Sequence, residues 1–316
     1  MRPDPVCETA FSRGGPFWHL YTDGETMEII FTCAADYVFG IALLGICAAA
    51  FPRCRILTFS LMSNHLHIIL AGPHPDVIAL FALFKSRLGT YLTRQGRICR
   101  MDRFQAKTFQ IPSLQTLRNE IVYVNRNGYL VHPDCTPFSY WWSAGVYFFN
   151  PVGMMLPTQP YSALTLREQR ALCHCRDASL PDYYRVLTGF SADGTSAPGP
   201  MLFPPSFCAI PEAEAYFHDA HQYFRSLCRD NEAYAEVARR LGDRIFLTDD
   251  ELFGAVCSLS AREFGSPQPG LLTGDQKLEV ARRMRFDYNA SPRQIQRILK
   301  LSPTLVNTLF PRPVSA

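Results

Sequence analysis

The sequence predicts an α+β domain, in which helices cover an antiparallel sheet, followed by an all-α C-terminal region. Over the first 148 residues, short runs rich in aromatic and β-branched residues alternate with longer helical patterns, which is typical of such a domain. From residue 246 onwards the apolar residues follow helical spacing. Prolines mark a change of character after residue 148. We therefore divide the 316 residues into ranges 1–148, 149–245 and 246–316, the middle one helical and of unknown role.

Each element of the first range has a local signal. Strands are predicted at 17–22, 55–61, 65–71 and 104–111, and a tight turn at Ser63-Asn64 joins the middle two. Helices are predicted at 34–51, at 75–94 and from Pro112 to Gly128. Pro52 ends the first of these helices, and Gly128 is a common C-cap residue for the last. The resulting order of elements predicts an antiparallel sheet with helices on its faces.

The apolar stretch from 38 to 51 is 14 residues long, short of the roughly 20 that a membrane span needs. We interpret it as a buried helix packed on the sheet and expect no membrane contact. No signal peptide is indicated, because Arg2, Asp4 and Glu8 precede any apolar run. The eleven cysteines include no Cys-x-x-Cys pair, which favours reduced thiols and a cytoplasmic protein.

A formal net charge of +3 does not by itself indicate a nucleic-acid binder, so the positions of the charges matter. Two segments, 85–107 and 275–316, carry many basic residues and few acids. In the first segment, the side chains that could contact phosphates are Arg94, Arg97, Arg100, Arg103 and Lys107. A solvated face has the same composition, and the sequence favours neither interpretation.

Two histidines form a candidate metal site on the third strand. Residues two apart on a strand point to the same face, so His65 and His67 present two imidazoles side by side while Leu66 turns to the opposite face. Two neutral imidazoles at this spacing can share one divalent metal. Histidines of a partly exposed sheet would show the same pattern.

A candidate nucleophile lies on the following helix. Residues four apart share a helix face, so Tyr123 and Asn127 project together. A tyrosine oxygen can attack phosphorus, and an asparagine oxygen can complete a metal shell. Tyr91 and Tyr129 are rival nucleophiles, but neither has an asparagine four residues later. A helix tyrosine is also a common core residue.

In order along the chain, these motifs resemble the His-hydrophobe-His single-strand endonucleases and, more narrowly, the single-tyrosine transposases associated with repetitive extragenic palindromes. The family's Met-Pro-Asn-His-hydrophobe-His run reads Met62-Ser63-Asn64-His65-Leu66-His67 here. Its Tyr-Ile-His-x-Asn-Pro run reads Tyr123-Val124-Asn125-Arg126-Asn127-Gly128. Arg103-Phe104 and the run 137–143 match two further family motifs. Serine and glycine replace the two prolines, which leaves every chemical group in place.

The resemblance, over residues 15 to 145, implies a fold and a reaction. The fold is an HUH nuclease domain of the RRM-like, ferredoxin-like kind. The reaction is DNA transposition chemistry: single-stranded or hairpin DNA is cut and rejoined through a 5′-phosphotyrosine on Tyr123. A Mg²⁺ or Mn²⁺ ion held by His65, His67 and Asn127 would assist it. The family resemblance also makes a homodimer an expectation. The alternative is a catalytically idle DNA-binding regulator that retains this fold.

The C-terminal range carries two helix-start signals, Ser291-Pro292 and Ser302-Pro303, after a longer basic helix predicted at 275–288. Two short helices joined by a tight turn predict a helix-turn-helix that binds DNA through Arg293, Arg297 and Lys300. A small helical cap that holds the domains together would show the same pattern.

Overall fold

The computed structural model describes residues 4–24, 27–130, 138–174, 180–188, 200–229, 237, 240, 249–288 and 290–310. The chain divides into two compact units, one formed by 1–129 with 134–223 and the other by 130–133 with 224–316. The first unit therefore includes most of the middle range as well as the predicted sheet. Each described cysteine is a free thiol. None of the helices within the described ranges is long and apolar enough to cross a membrane.

A four-stranded antiparallel sheet forms the centre of the first unit, with strand order β2-β3-β1-β4. The seven elements follow in the order that the sequence predicts, after an additional N-terminal helix. Their bounds are α1 (Pro5–Gly14), β1 (Phe17–Thr22), α2 (Ala34–Ala50), β2 (Arg55–Leu61), β3 (Leu66–Ala71), α3 (His74–Arg94), β4 (Ala106–Ile111) and α4 (Leu114–Leu130). The mixed α+β class with an antiparallel sheet is thus confirmed.

The prediction that Gly128 ends the last of these helices is wrong, because α4 continues to Leu130. A glycine inside a helix costs only about 1 kcal/mol relative to alanine. The preceding residues 120–127 are all buried. Packing of that segment outweighs the preference of glycine for a helix end.

The two faces of the sheet have different characters. Leu66 lies opposite Leu61 on β2, and a Cβ added at Gly40 of α2 would lie 2.9 Å from the Leu61 side chain. The ring of Trp18, on the same face, lies 4.3 Å from that of His74 on α3. Helices α2 and α3 therefore cover an apolar face. Alternation along the strands turns His19, Tyr21 and His67 to the opposite face, towards α4.

Helix α2 is apolar all round because it is covered on two sides. Besides the main sheet, it contacts α6 (Leu166–Cys173) and the last strand of a small antiparallel sheet. A Cβ added at Gly45 would overlap the Leu202 side chain, so this glycine permits the close approach. The small sheet consists of β5 (Thr158–Pro160), β6 (Arg185–Leu187) and β7 (Met201–Leu202). The interpretation of this stretch as a buried helix packed on a sheet is confirmed.

The remaining helices of the described ranges are short or belong to the C-terminal part of the chain. They are α5 (Pro151–Met154), α7 (Ile210–Glu214), α8 (Ala220–Arg229), α9 (Asp249–Phe264), α10 (Gly274–Phe286), α11 (Pro292–Leu299) and α12 (Pro303–Leu309). In the second unit, α10 packs on α9 and α11, and α11 packs on α12. Val280, Ile295 and Val306, one from each of α10, α11 and α12, are fully buried and form the centre of this cluster.

A buried carboxylate joins the start of α2 to α3. Asp36 accepts hydrogen bonds from Thr32, from the hydroxyl of Tyr91 at 2.9 Å and from Arg97 at 2.7 Å. Burial raises the pKa of Asp36, but these hydrogen bonds outweigh it and hold the pKa below its usual value. The ionised carboxylate therefore stabilises the fold above the unfolded-state pKa of 3.8, and this contribution is lost as the pH falls below it.

We expect Asp36→Asn to lower the free energy of unfolding at neutral pH by about 2–4 kcal/mol, because the guanidinium of Arg97 then loses its buried partner. Urea unfolding followed by circular dichroism measures the change. Asp76→Asn is the matched control, since Arg53, the partner of Asp76, is 73% exposed and an ion pair with an exposed partner contributes about 0–1 kcal/mol. Equal losses in the two variants would contradict the structural role of Asp36.

Candidate functional site

Histidines of β1 and β3 meet on the face of the sheet that α4 covers. His67 pairs with Tyr21 on β1 and with Ser60 on β2, and its side chain is 0% exposed. His65 lies just before β3 and is partly exposed. The two imidazole centroids are 5.1 Å apart, so the histidines lie side by side, as the sequence predicts. Leu66, between them, belongs to the apolar face.

Helix α4 brings the candidate nucleophile to these histidines. The ring of Tyr123 lies 5.5 Å from that of His67 and 6.1 Å from that of His19, measured between centroids. Residues separated by 56 positions in sequence are thus neighbours. The side chain of Tyr123 is only 1% exposed. The structure therefore juxtaposes the phenol with the histidines and covers it from solvent.

The ring of His65 is held by Asn64. The Asn64 amide nitrogen donates to the carbonyl oxygens of Gly24 at 2.6 Å and Met27 at 3.1 Å, which sets the orientation of the amide. Its oxygen then accepts from Nδ1 of His65 at 2.8 Å. With the proton on Nδ1, the lone pair of His65 lies on Nε2, the nitrogen that can bind a cation.

Two further polar side chains complete the cluster, and the sequence analysis did not select either of them. Nδ1 of His19 lies 2.7 Å from Oε2 of Glu120, and Nε2 of His19 lies 3.1 Å from Nδ1 of His67. All three residues are 0% exposed. A sequence signal existed, because Glu120 precedes Tyr123 by three positions and so shares its helix face. His19 shares a strand face with Tyr21 by alternation.

Asn125 adds a second link between α4 and the sheet. Its side-chain oxygen accepts a hydrogen bond from Thr58 on β2, and its nitrogen donates to the hydroxyl of Tyr223 at 2.9 Å. This residue lies within the tyrosine motif but faces β2, while Glu120 faces β1. Contacts with two different strands restrict rotation of α4 about its axis.

The third predicted metal ligand, Asn127, lies one helical turn beyond Tyr123 and is 8% exposed. Within the described ranges, no group of three or more His, Cys, Asp or Glu side chains could hold a metal ion. A cation beside His65 and His67 therefore needs the amide oxygen of Asn127, or oxygens of a substrate and water, to complete its shell. Two imidazoles and one amide oxygen would form a mixed donor set, because oxygen ligands suit Mg²⁺ or Mn²⁺ whereas imidazoles suit softer divalent metals.

No protein-family model, no curated protein and no solved structure matches the chain. Function is therefore inferred from the geometry of the site.

The basic residues of the first segment differ in their surroundings. Arg97 is bound within the fold to Asp36 and to the carbonyl oxygen of Ile30. Arg100 forms two hydrogen bonds of 3.1 Å with Asp102, and Arg94 donates to the carbonyl oxygen of His174 at 2.9 Å. Arg103 is exposed, and Lys107 is exposed with its Nζ 3.9 Å from Asp23 and 6.0 Å from the ring centre of Tyr21. Arg97 is thus held by partners within the fold, and Lys107 lies beside Tyr21, whose side chain is on the histidine face.

The aromatic run after α4 packs mainly within the fold. Trp142 stacks on Tyr37 with centroids 4.7 Å apart, and the hydroxyl of Tyr140 donates to the carbonyl oxygen of Leu61 at 2.6 Å. These contacts hold the run against β2. Pro137, the first residue of the family motif in this run, lies outside the described residues.

The three C-terminal basic residues are all exposed. Arg293 and Arg297 lie four positions apart on α11, so they share a helix face. Lys300 ends α11 with a left-handed backbone, φ 53°. The hydroxyl oxygen of Ser302 caps α12 by accepting a hydrogen bond from the backbone amide of Leu305. Both short helices begin at the residues that the two Ser-Pro signals predict.

We expect the stability of the protein to depend on pH through His67. Burial lowers the pKa of His67 well below 6.5, and a proton on the neighbouring His19 would lower it further. At a pH between the pKa of His67 in the folded protein and its pKa of 6.5 in the unfolded chain, the unfolded state binds a proton that the folded state does not. The free energy of unfolding therefore falls as the pH drops below about 6.5, by up to about 1.4 kcal/mol per pH unit from this residue.

Urea unfolding between about pH 5 and about pH 7 tests this expectation. His67→Gln should reduce the acid dependence, whereas the control His218→Gln, at a side chain 70% exposed, should leave it unchanged. An unchanged acid dependence in His67→Gln would show that His67 is not the residue responsible.

Proposed function

We propose that this protein cuts and rejoins single-stranded DNA, with Tyr123 as the nucleophile and His65, His67 and Asn127 as ligands of a Mg²⁺ or Mn²⁺ ion. The observation that carries the proposal is the position of the His67 ring, 5.1 Å from that of His65 and 5.5 Å from that of Tyr123. A strand-borne histidine pair and a helix-borne phenol are the parts that such a reaction requires.

The order of elements supports the finer fold assignment. A β-α-β-β-α-β series, β1 to β4 with α2 and α3, forms one antiparallel sheet. This order of elements is the one that we would expect of a ferredoxin-like, RRM-like HUH nuclease domain, and it supports that part of the proposal. In that arrangement His67 lies on a central strand, since β3 pairs with both β2 and β1, and His65 directly precedes this strand.

The reaction is a transesterification at phosphorus. The Tyr123 oxygen loses its proton and forms a bond to phosphorus, and the bond from phosphorus to the 3′ oxygen breaks, which releases a 3′-hydroxyl after protonation. Rejoining is the reverse attack by a 3′-hydroxyl, which restores the tyrosine and needs no ATP because the ester bond is conserved. A divalent cation at the histidines would polarise the non-bridging oxygens of the phosphate.

The burial of Tyr123 restricts how DNA reaches the site. A phenol that is 1% exposed cannot meet a phosphodiester until the residues covering it move. A flexible single strand enters such a pocket more readily than a stiff duplex. Lys107, exposed at the rim beside Tyr21, is the basic side chain best placed to guide the backbone.

Burial also favours a second candidate function, a DNA-binding regulator whose nuclease site is idle. The same buried rings would then serve only as a polar core. The two candidates differ in one product, a covalent bond between tyrosine and DNA.

The test is incubation of the protein with labelled DNA hairpins that carry single-stranded flanks, in Mg²⁺ or Mn²⁺, followed by denaturing electrophoresis. We expect a covalent adduct with the wild-type protein and none with Tyr123→Phe. Tyr129→Phe, a rival tyrosine on the same helix, is the matched control and should retain the adduct. Tight binding without an adduct, with either metal and across many hairpins, would refute cleavage and support the regulator.

We also propose that α11 and α12 form a helix-turn-helix that binds duplex or hairpin DNA. The support is the three-residue turn between them, the capping of both N-termini by serine and the exposed basic face of α11. On α12 the exposed side chains include Thr304, Asn307 and Thr308, which can donate and accept hydrogen bonds.

Arg293→Gln with Arg297→Gln should weaken binding of a DNA hairpin and lower the slope of log affinity against log salt by about 2, because each guanidinium group would otherwise neutralise one phosphate. Fluorescence anisotropy over a series of salt concentrations measures both quantities. Arg167→Gln with Arg170→Gln removes the same charge from two exposed positions of α6 in the first unit and is the control. Lys300 is left intact because its left-handed backbone shapes the turn. Equal effects of the two double variants would argue against a dedicated DNA-binding helix pair.

A further inference from the structure

The buried series Glu120–His19–His67 points to a role beyond packing. Two consecutive hydrogen bonds, of 2.7 Å and 3.1 Å, link a carboxylate on α4 to the histidine of β3 through the histidine of β1. Each ring nitrogen in such a series either donates or accepts, so the proton positions along it depend on one another. With Glu120 ionised and His19 neutral, only one assignment of the protons satisfies both hydrogen bonds.

The series has a preferred direction. An ionised carboxylate only accepts hydrogen bonds, so Nδ1 of His19 must donate to Glu120. A neutral His19 then has its lone pair on Nε2, which accepts a hydrogen bond from Nδ1 of His67 at 3.1 Å. Burial of both rings opposes a second proton on either one. In this arrangement the lone pair of His67 lies on Nε2.

We propose that Glu120 and His19 are positioning residues that hold His67 in the tautomer with its proton on Nδ1 and its lone pair on Nε2. Asn64 holds His65 in the same tautomer through a separate hydrogen bond of 2.8 Å. Both imidazoles of the pair then present Nε2 for a cation, although different partners orient them. The use of His67 as a ligand rests on the proposed function, whereas the tautomer itself is a property of the metal-free protein.

The physical advantage of such a series is twofold. A hydrogen bond at Nδ1 restricts rotation of the ring, and the carboxylate at the far end makes Nε2 more basic, which strengthens binding of a cation. Removal of partners of this kind typically weakens metal affinity by about 10- to 100-fold. Because Glu120 lies on the same helix as Tyr123, its bond to His19 also keeps the nucleophile against the ligand.

The test is ¹⁵N NMR of histidine-labelled, metal-free protein, with the His67 signals assigned by comparison with His67→Asn. We expect a protonated-type signal from Nδ1 and an unprotonated-type signal from Nε2 of His67. Single removal of His19 leaves a buried carboxylate without its partner and endangers folding. The main variant is therefore His19→Leu with Glu120→Leu, which replaces both groups by apolar ones.

In the double variant we expect the Nε2-protonated form of His67 to increase, because free imidazoles favour it, while the His65 signals stay unchanged. Titration with Mn²⁺, followed by the loss of its free electron-spin signal, should show an affinity about 10- to 100-fold lower. His19→Gln is the rescue variant, since its amide nitrogen can donate to Glu120 and its oxygen can accept from His67.

The outcomes separate the two proposals. A proton on Nε2 of His67 in the wild-type protein, or no change of its signals in the double variant, overturns the positioning role even if DNA is cleaved. The protein could instead show the expected tautomer of His67 but bind no Mn²⁺ and form no adduct with DNA. That result would leave the positioning role intact and refute the proposed function. Complete loss of Mn²⁺ binding in His19→Gln, with the His67 tautomer retained, would make His19 a ligand instead.

Discussion

The hydrogen bond between Glu120 and His19 is the contact on which the arrangement of the site depends. Both side chains are 0% exposed and 2.7 Å apart. A buried carboxylate without a partner is strongly destabilising, so α4 cannot slide or turn on the sheet without losing much of this stabilisation. The hydrogen bond from Thr58 to Asn125 also ties α4 to β2, the second strand that restricts the position of this helix. The position of Tyr123 against His67 follows from these two links.

The rest of the first unit keeps the opposite face of the sheet apolar. Helices α2 and α3 cover that face, and the small sheet β5–β7 covers α2 from its other side. The buried histidines His19 and His67 and the buried carboxylate of Glu120 lie instead in the layer between the sheet and α4. In a low-dielectric layer of this kind, hydrogen bonds are strong and unpaired groups are costly, which explains why Glu120 and Asn125 of α4 are each bonded to a strand.

Burial has opposite consequences for structure and for chemistry. It strengthens the links of His19, His67 and Glu120, and it lowers the pKa of His67, which keeps the imidazole neutral and able to act as a ligand. It also covers Tyr123, the group that has to meet a substrate. An active enzyme of this design must therefore uncover the phenol without breaking the links of α4. A DNA-binding regulator without cleavage activity would instead keep Tyr123 covered.

By itself, the sequence determined the order of elements around the main sheet, the buried character of α2 and the placement of His65, His67 and Tyr123 on neighbouring elements, because strand alternation and helical spacing are local properties. It did not reveal His19 and Glu120 as partners, since they lie 101 positions apart and pair only when α4 is packed on β1. It also left open the use of Arg97, which binds Asp36 rather than facing solvent. Only the tertiary structure decides such pairings, because the cost of burying a charge depends on what surrounds it after folding.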